Sequence, residues 1–123
     1  MKNTTPFKAI LINATNRTVT EVEINDDLQS IYKVMGVDMI QVATDLPKND
    51  VIYVDEEGML KPMMNFFIYE GAHQPFTGNG LVVGTSRGGK TVAPKMTVDE
   101  VRKNVKFANI FEIKMMIARG EIQ

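Results

Sequence analysis

Leu81-Val82-Val83-Gly84-Thr85-Ser86-Arg87-Gly88-Gly89-Lys90-Thr91-Val92-Ala93-Pro94 is the stretch on which the fold turns. Within it, Gly84–Thr91 satisfies G-x-x-x-x-G-K-[ST], the phosphate-binding loop, and the apolar run before it reads as a strand. If the loop is genuine, its backbone amides cradle phosphates, Lys90 reaches the terminal phosphates and Thr91 holds Mg²⁺ in a parallel α/β domain. The other reading is a β-hairpin, Leu81–Thr85 against Lys90–Ala93 with Gly88-Gly89 in the turn, inside an antiparallel α+β domain.

The phosphate loop needs a helix starting near the lysine, so that its amides and dipole face the anion. Pro94 falls four residues after Lys90, inside that helix, and would cost ~3 kcal/mol or more there. Only 32 residues follow Thr91, and none of them forms an apolar strand ending in Asp to bind Mg²⁺. The hairpin is therefore the preferred reading, and the expected fold class is α+β.

The chain before this stretch reads as further hairpins and one short helix. Lys8–Ile12 is an apolar run, and in Thr18–Ile24 the residues Thr20, Val22 and Ile24 alternate with Glu21 and Glu23, so residues 8–24 predict a β-hairpin. Asn25-Asp26-Asp27 supplies an N-cap, and Leu28, Ile31, Tyr32 and Met35 share one helical face, closed by Gly36. Strands follow at Met39–Thr44 and Val51–Val54. Asp55-Glu56-Glu57-Gly58 reads as a hairpin loop whose glycine takes a positive φ, with Met59-Leu60-Lys61 returning and Pro62 as a break. The period leaves residues 63–69 open between strand and helix.

After the decisive stretch, Thr97-Val98-Asp99-Glu100 is a capping box that starts a helix near residue 98. Residues 107–118 are apolar almost all round. The expected organisation is a single domain over 1–123, with an ordered core of about 7–107 and an apolar helical segment over 108–123.

Composition narrows the function classes. The net charge is −1, so bulk charge gives no grip on nucleic acid, which is not an expected partner. No cysteine is present, which excludes disulfides, thiolate metal sites and cysteine nucleophiles. No apolar run approaches the ~18 residues of a membrane span, and Met1–Phe7 opens no signal peptide, so the expectation is cytoplasmic, with no membrane. His73 is the lone histidine and reads as an exposed loop residue, which leaves no catalytic triad and no metal site. Catalytic residues, cofactor and metal are all expected to be none.

Two groups of residues remain as binding candidates. Phe76 and Asn79 beside flexible glycines, with Arg87 and Lys90, could stack a base and hold a phosphate. Core packing is the competing use of the neighbouring Phe66 and Phe67. Ile110, Phe111, Ile113, Met115, Met116 and Ile117 form the apolar C-terminal segment, which is either buried or an interface. Asn65, between Met64 and Phe66, needs polar partners if it is buried.

Phe7–Ile12 with Thr18–Ile24, Val51–Lys61, and Phe76–Thr85 in this order and spacing resemble the family of domains of unknown function numbered 3846. Its members occur in phages, plasmids and integrative elements of bacteria. The resemblance runs over about residues 7–107 and implies a mobile-element origin but no activity. Relatives look to carry an acidic turn after the glycine-ending strand, where this chain has the basic Ser86-Arg87-Gly88-Gly89-Lys90. The function expected is a non-enzymatic binding protein acting on a host component by protein–protein contact, for example in anti-defence, or by self-association as a homodimer. The alternative is a nucleotide-sequestering protein, and the remote one is a P-loop nucleotide hydrolase.

Overall fold

The structure is a computed structural model that describes residues 6–58, 64–72 and 74–122. The expected return strand Met59-Leu60-Lys61, the Pro62 break and the His73 loop position lie outside the described residues. Strands β1 (Phe7–Asn13) and β2 (Thr18–Ile24) precede helix α1 (Leu28–Met35), followed by β3 (Ile40–Asp45) and β4 (Asp50–Asp55). Next come β5 (Asn65–Tyr69), β6 (Phe76–Thr77), β7 (Asn79–Thr85) and β8 (Thr91–Val92). The chain ends in α2 (Val98–Asn104), β9 (Val105–Asn109) and α3 (Ile110–Ala118).

The strands form two sheets. The larger has the order β2-β1-β7-β4-β3, with β8 also on β7, and the smaller has the order β6-β5-β9. Every described pairing is antiparallel, so this is the α+β fold expected of a chain of hairpins. The residue 8–24 hairpin forms with Asn13 opposite Thr18. The decisive stretch is a hairpin too, with Gly84 opposite Val92 and Thr85 opposite Thr91.

Side chains alternate about these sheets and stack the molecule in four layers. On one face of the large sheet, Ala9, Leu11, Val51, Leu81 and Val83 pack with Ile31 and Met35 of α1. On the other, Ile10, Ile12, Ile52, Val54 and Val82 meet Phe67, Tyr69 and Phe76 of the small sheet and Val101 of α2. The far face of the small sheet, Phe66, Ile68 and Ala108, is covered by Ile110, Ile113 and Met116 of α3. The order is α1, large sheet, small sheet with α2, then α3.

Local chemistry accounts for the helix ends. The Asp27 carboxylate accepts the Ser30 N–H at 2.7 Å, and Gly36 closes α1 with φ 69°. Ile31 and Met35 face the sheet as expected, but Leu28 is exposed because α1 opens only at that residue. The Thr97 box forms in full, with Thr97 Oγ1 accepting from Glu100 N at 3.1 Å and Glu100 Oε1 accepting from Thr97 N at 3.0 Å.

Three local expectations change. Residues 65–69 are a strand; both faces are covered, so apolar side chains occupy odd and even positions alike. The C-terminal segment expected to be helical over 108–123 is so only over Ile110–Ala118: β9 runs to Asn109 beside β5, and a second capping box, Asn109 with Glu112, starts α3. Gly58 does not take a positive φ; a Cβ there would collide with Thr77 Oγ1.

Candidate functional site

Helix α3 divides its side chains between two tasks. Ile110, Ile113 and Met116 recur at i, i+3 and i+6 and hold the small sheet, with Ile113 in the core. Phe111 (67% exposed), Met115 (56%) and Ile117 (49%) lie toward solvent. The expected six-residue interface is therefore corrected: the segment is not apolar all round in function, because one stripe is spent on the core. Ile113 is buried and can meet a partner only as part of the lining of a groove, and Ile110 and Met116 are half-buried. Met64, also exposed, accepts the Ile110 N–H through its carbonyl at 2.9 Å and extends the apolar surface beyond the start of α3.

Beside α3 runs a groove of about 370 Å³. Phe66, Phe76 and Ile113 line it together with Val54, Ile110 and Ile117, while Lys114 and Glu56 add charge. Such a surface can take an apolar side chain. The helix start is anchored from across the fold: Arg17 Nη2 lies 3.1 Å from Glu112 Oε1, and Asn109 N donates to the same oxygen at 3.0 Å. The bond from the Asn109 backbone, then the Arg17 guanidinium, hold the Glu112 carboxyl below the usual carboxylate range.

The four ligand candidates do not come together. Phe76 is buried with its ring centroid 5.5 Å from that of Phe67, so its face is spent on the core. Asn79 donates through Nδ2 to the Met35 carbonyl at 2.9 Å, tying β7 to the end of α1. Asn79 starts β7, and Arg87 and Lys90 lie past its other end, about 20 Å away at a strand's rise per residue. A base stacked on Phe76 cannot share a phosphate with Arg87 and Lys90.

The Gly84–Thr91 string takes a geometry unlike a phosphate loop. Ser86 N donates to the Lys90 carbonyl at 3.0 Å, Gly89 N to the Ser86 carbonyl at 2.9 Å, and Lys90 N to Ser86 Oγ at 3.2 Å. These bonds close a tight turn in which Gly89 takes φ 79°. The Thr91 hydroxyl lies 3.3 Å from that of Tyr53. Strand follows Lys90, and the next helix opens only at Val98, so no helix dipole faces the turn. Gly84 serves the fold: a Cβ there would lie 2.6 Å from the Ala93 carbonyl oxygen.

Sequence reasoning missed a buried polar group near this turn. Asp50 is fully buried, and its Oδ1 and Oδ2 accept the backbone N–H groups of Lys95 (3.0 Å) and Met96 (2.8 Å). Close by in the core, Tyr69 Oη donates to Met96 Sδ at 3.9 Å and accepts from Asn104 Nδ2 at 3.3 Å. Burial pushes the Tyr69 hydroxyl above its ordinary pKa, against the Asn104 bond. The one available signal, an Asp opening an apolar strand, is too common to select Asp50.

Among the described residues no group of three or more His, Asp or Glu could hold a metal ion, and no helix is long and apolar enough to cross a membrane. A family model described as Domain of unknown function (DUF3846) matches residues 7–106, which leaves α3 beyond the matched part. No curated protein and no solved structure matches the chain.

Proposed function

We propose, from the premise that the chain belongs to the DUF3846 family, that it is a non-enzymatic binding protein acting by protein–protein contact. The outer face of α3 is the contact surface. One observation carries the reading: Phe111 and Met115, four residues apart on one helical face, are 67% and 56% exposed on a helix whose opposite face holds the core. A flexible thioether beside an aromatic ring suits an adaptable apolar contact. The adjoining groove adds a pocket for one inserted side chain. Resemblance to proteins of phages, plasmids and integrative elements supports a bacterial host protein as the partner, with an anti-defence or host-modulating role in the bacterial cytoplasm. A second copy of the chain is the other partner this face fits.

The test compares the full chain with Phe111→Asp and Met115→Asp. Host proteins captured by the wild type are identified, purified and remeasured against each variant, and light scattering after size exclusion reports self-association. Loss of a reconstituted complex, or of a dimer, in both variants sustains the reading. A wild-type monomer whose purified partners bind both variants equally well overturns it.

A further inference from the structure

At the end of the large sheet away from the α3 groove, three segments enclose an open concavity of about 670 Å³. Asn49, Thr85, Ser86, Arg87, Val92 and Lys95 line it, two of them cationic and none acidic. The two sites lie at opposite ends of β4, about 17 Å apart at a strand's rise per residue.

The walls are fixed by the fold. Thr85 Oγ1 donates to the Asn49 carbonyl at 2.9 Å, joining the turn before β4 to the end of β7. The buried Asp50 carboxylate holds the Lys95 backbone N–H, so that cation projects from a pinned position. The Ser86–Lys90 turn is closed by its own bonds. Lys48 and Asn49, neither of them glycine, both take φ 67°, a backbone state tolerated where surrounding structure imposes it.

The cations here make no ion pair, the buried Asp50 carboxylate behind Lys95 being spent on backbone N–H groups. Lys8, Arg17, Lys48, Arg102 and Arg119 each meet a carboxylate. Among the described residues Arg87, Lys90 and Lys95 make no such pair, nor do Lys33, Lys103, Lys106 and Lys114; what sets the first three apart is a concavity with no carboxylate in its lining. Lys90 stands in the same turn as Arg87. Two cations on the wall of the concavity, with Lys90 in the adjoining turn, raise the local potential and favour an anion.

We propose that this concavity is an anion site that takes a phosphate group, free or at the end of a small phosphorylated molecule. Arg87 offers a planar fork to two phosphate oxygens, and Lys95 supplies a point charge. The Ser86 hydroxyl and the Asn49 side-chain amide are the remaining donors, since the Thr85 hydroxyl is spent on Asn49. No aromatic side chain lines the site, so the phosphate and not a base is what it reads. Recognition comes from side chains beside a hairpin, without the backbone cradle of a phosphate loop, and involves no hydrolysis.

The experiment titrates ¹⁵N-labelled full chain with inorganic phosphate, tripolyphosphate, ATP and adenosine at low and moderate salt. The expected result is saturable shifts at the amides of Asn49, Ser86, Arg87 and Lys95, with binding that weakens as salt rises and no response to adenosine. Arg87→Ala and Lys95→Ala, both at exposed positions, each weaken binding about tenfold or more. Lys33→Ala, at an exposed position on α1, leaves it unchanged. Equal affinity for tripolyphosphate and ATP is the expected result for a site that reads the phosphate chain alone, and a clear preference for ATP overturns that reading. Absence of saturable shifts, shifts indifferent to Arg87→Ala and Lys95→Ala, or binding only to a glutamate-rich peptide offered in parallel overturns it.

Discussion

Asp50 and Met96, 46 residues apart in sequence, are joined by a buried hydrogen bond from the Met96 N–H to Asp50 Oδ2 at 2.8 Å. The bond docks the segment before α2 onto the first residue of β4. The second oxygen takes the Lys95 N–H, so one carboxylate satisfies two backbone donors. Asp50→Ala leaves the buried Met96 donor without a partner and should cost about 3 kcal/mol; Asp50→Asn, which keeps one oxygen, should cost about half of that. Equilibrium urea unfolding checks both, and losses under about 0.5 kcal/mol for Asp50→Ala would contradict this role.

The glycines of Gly84–Thr91 separate a structural string from a phosphate cradle. At Gly84 an added Cβ meets backbone, the Ala93 carbonyl oxygen, which cannot swing aside as a side chain could. Gly84→Ala should destabilise by about 1–3 kcal/mol. At Gly88 a Cβ meets nothing within 4 Å, so Gly88→Ala should stay within about 0.5 kcal/mol of wild type. Thermal melts of the two variants decide this, and equal effects would show that the hairpin has been misassigned.

Helix α3 offers a contrast between neighbours. Ile113 is buried against Phe66 and Ala108, so Ile113→Ala should cost about 2–4 kcal/mol. Phe111→Asp, at an exposed position, should leave the unfolding midpoint almost unchanged while it removes association. Denaturant midpoints and light scattering on the same samples separate the two effects. A Phe111→Asp variant as unstable as Ile113→Ala would mean that Phe111 belongs to the core.

Sequence legibility tracked how many faces of an element are buried. Thr18–Ile24 lies at the sheet edge, where exposed Glu21 and Glu23 alternate with Val22 and Ile24, but the expected face stops there: Thr20 is exposed and Val19, on the glutamates' face, is buried in the core between the sheets. Asn65–Tyr69 is covered on both faces, Phe66 and Ile68 by α3, Phe67 and Tyr69 by the large sheet, so no period appears. The Thr97 box stood out because it precedes a fresh apolar pattern. The Asn109 box was hidden because apolar residues run through β9 into α3 without a break. The turn at Ser86–Lys90 was readable from its glycines. Its surroundings were not, because Asn49 and Lys95 reach it through the Thr85 and Asp50 bonds, which no local pattern records.

Both capping carboxylates should appear in the acid limb of stability. The Thr97 backbone, then Lys48, lower the Glu100 pKa, and the Asn109 backbone, then Arg17, lower that of Glu112. A carboxyl depressed in the folded state adds stability above its unfolded value, and that contribution disappears as pH falls through the folded value. Glu100→Gln and Glu112→Gln should therefore melt below wild type at neutral pH and converge with it in acid. A difference that stays constant from neutral pH to below about pH 4 would show that charge plays no part.

Tyr69 gives the opposite limb. Its hydroxyl is displaced above its ordinary pKa chiefly by burial, with Glu100, Asp50 and Glu70 adding repulsion to the ionised form. The folded state thus favours the neutral phenol. That preference contributes stability fully present below the unfolded value of 10.0 and lost as pH rises through the folded value. Tyr69→Phe removes the ionisable group, along with the bonds to Met96 and Asn104. At neutral pH the variant should be less stable by about 1 kcal/mol, because the Asn104 amide loses its acceptor. Toward alkaline pH the two curves should approach, since wild type then bears the cost of a buried phenolate and the variant does not. Melts across this range, with tyrosinate absorbance followed in the same samples, test the sign. If the gap widens with pH, the hydroxyl ionises more readily in the fold than in the unfolded chain, and the packing assigned to Tyr69 between Met96 and Asn104 is wrong.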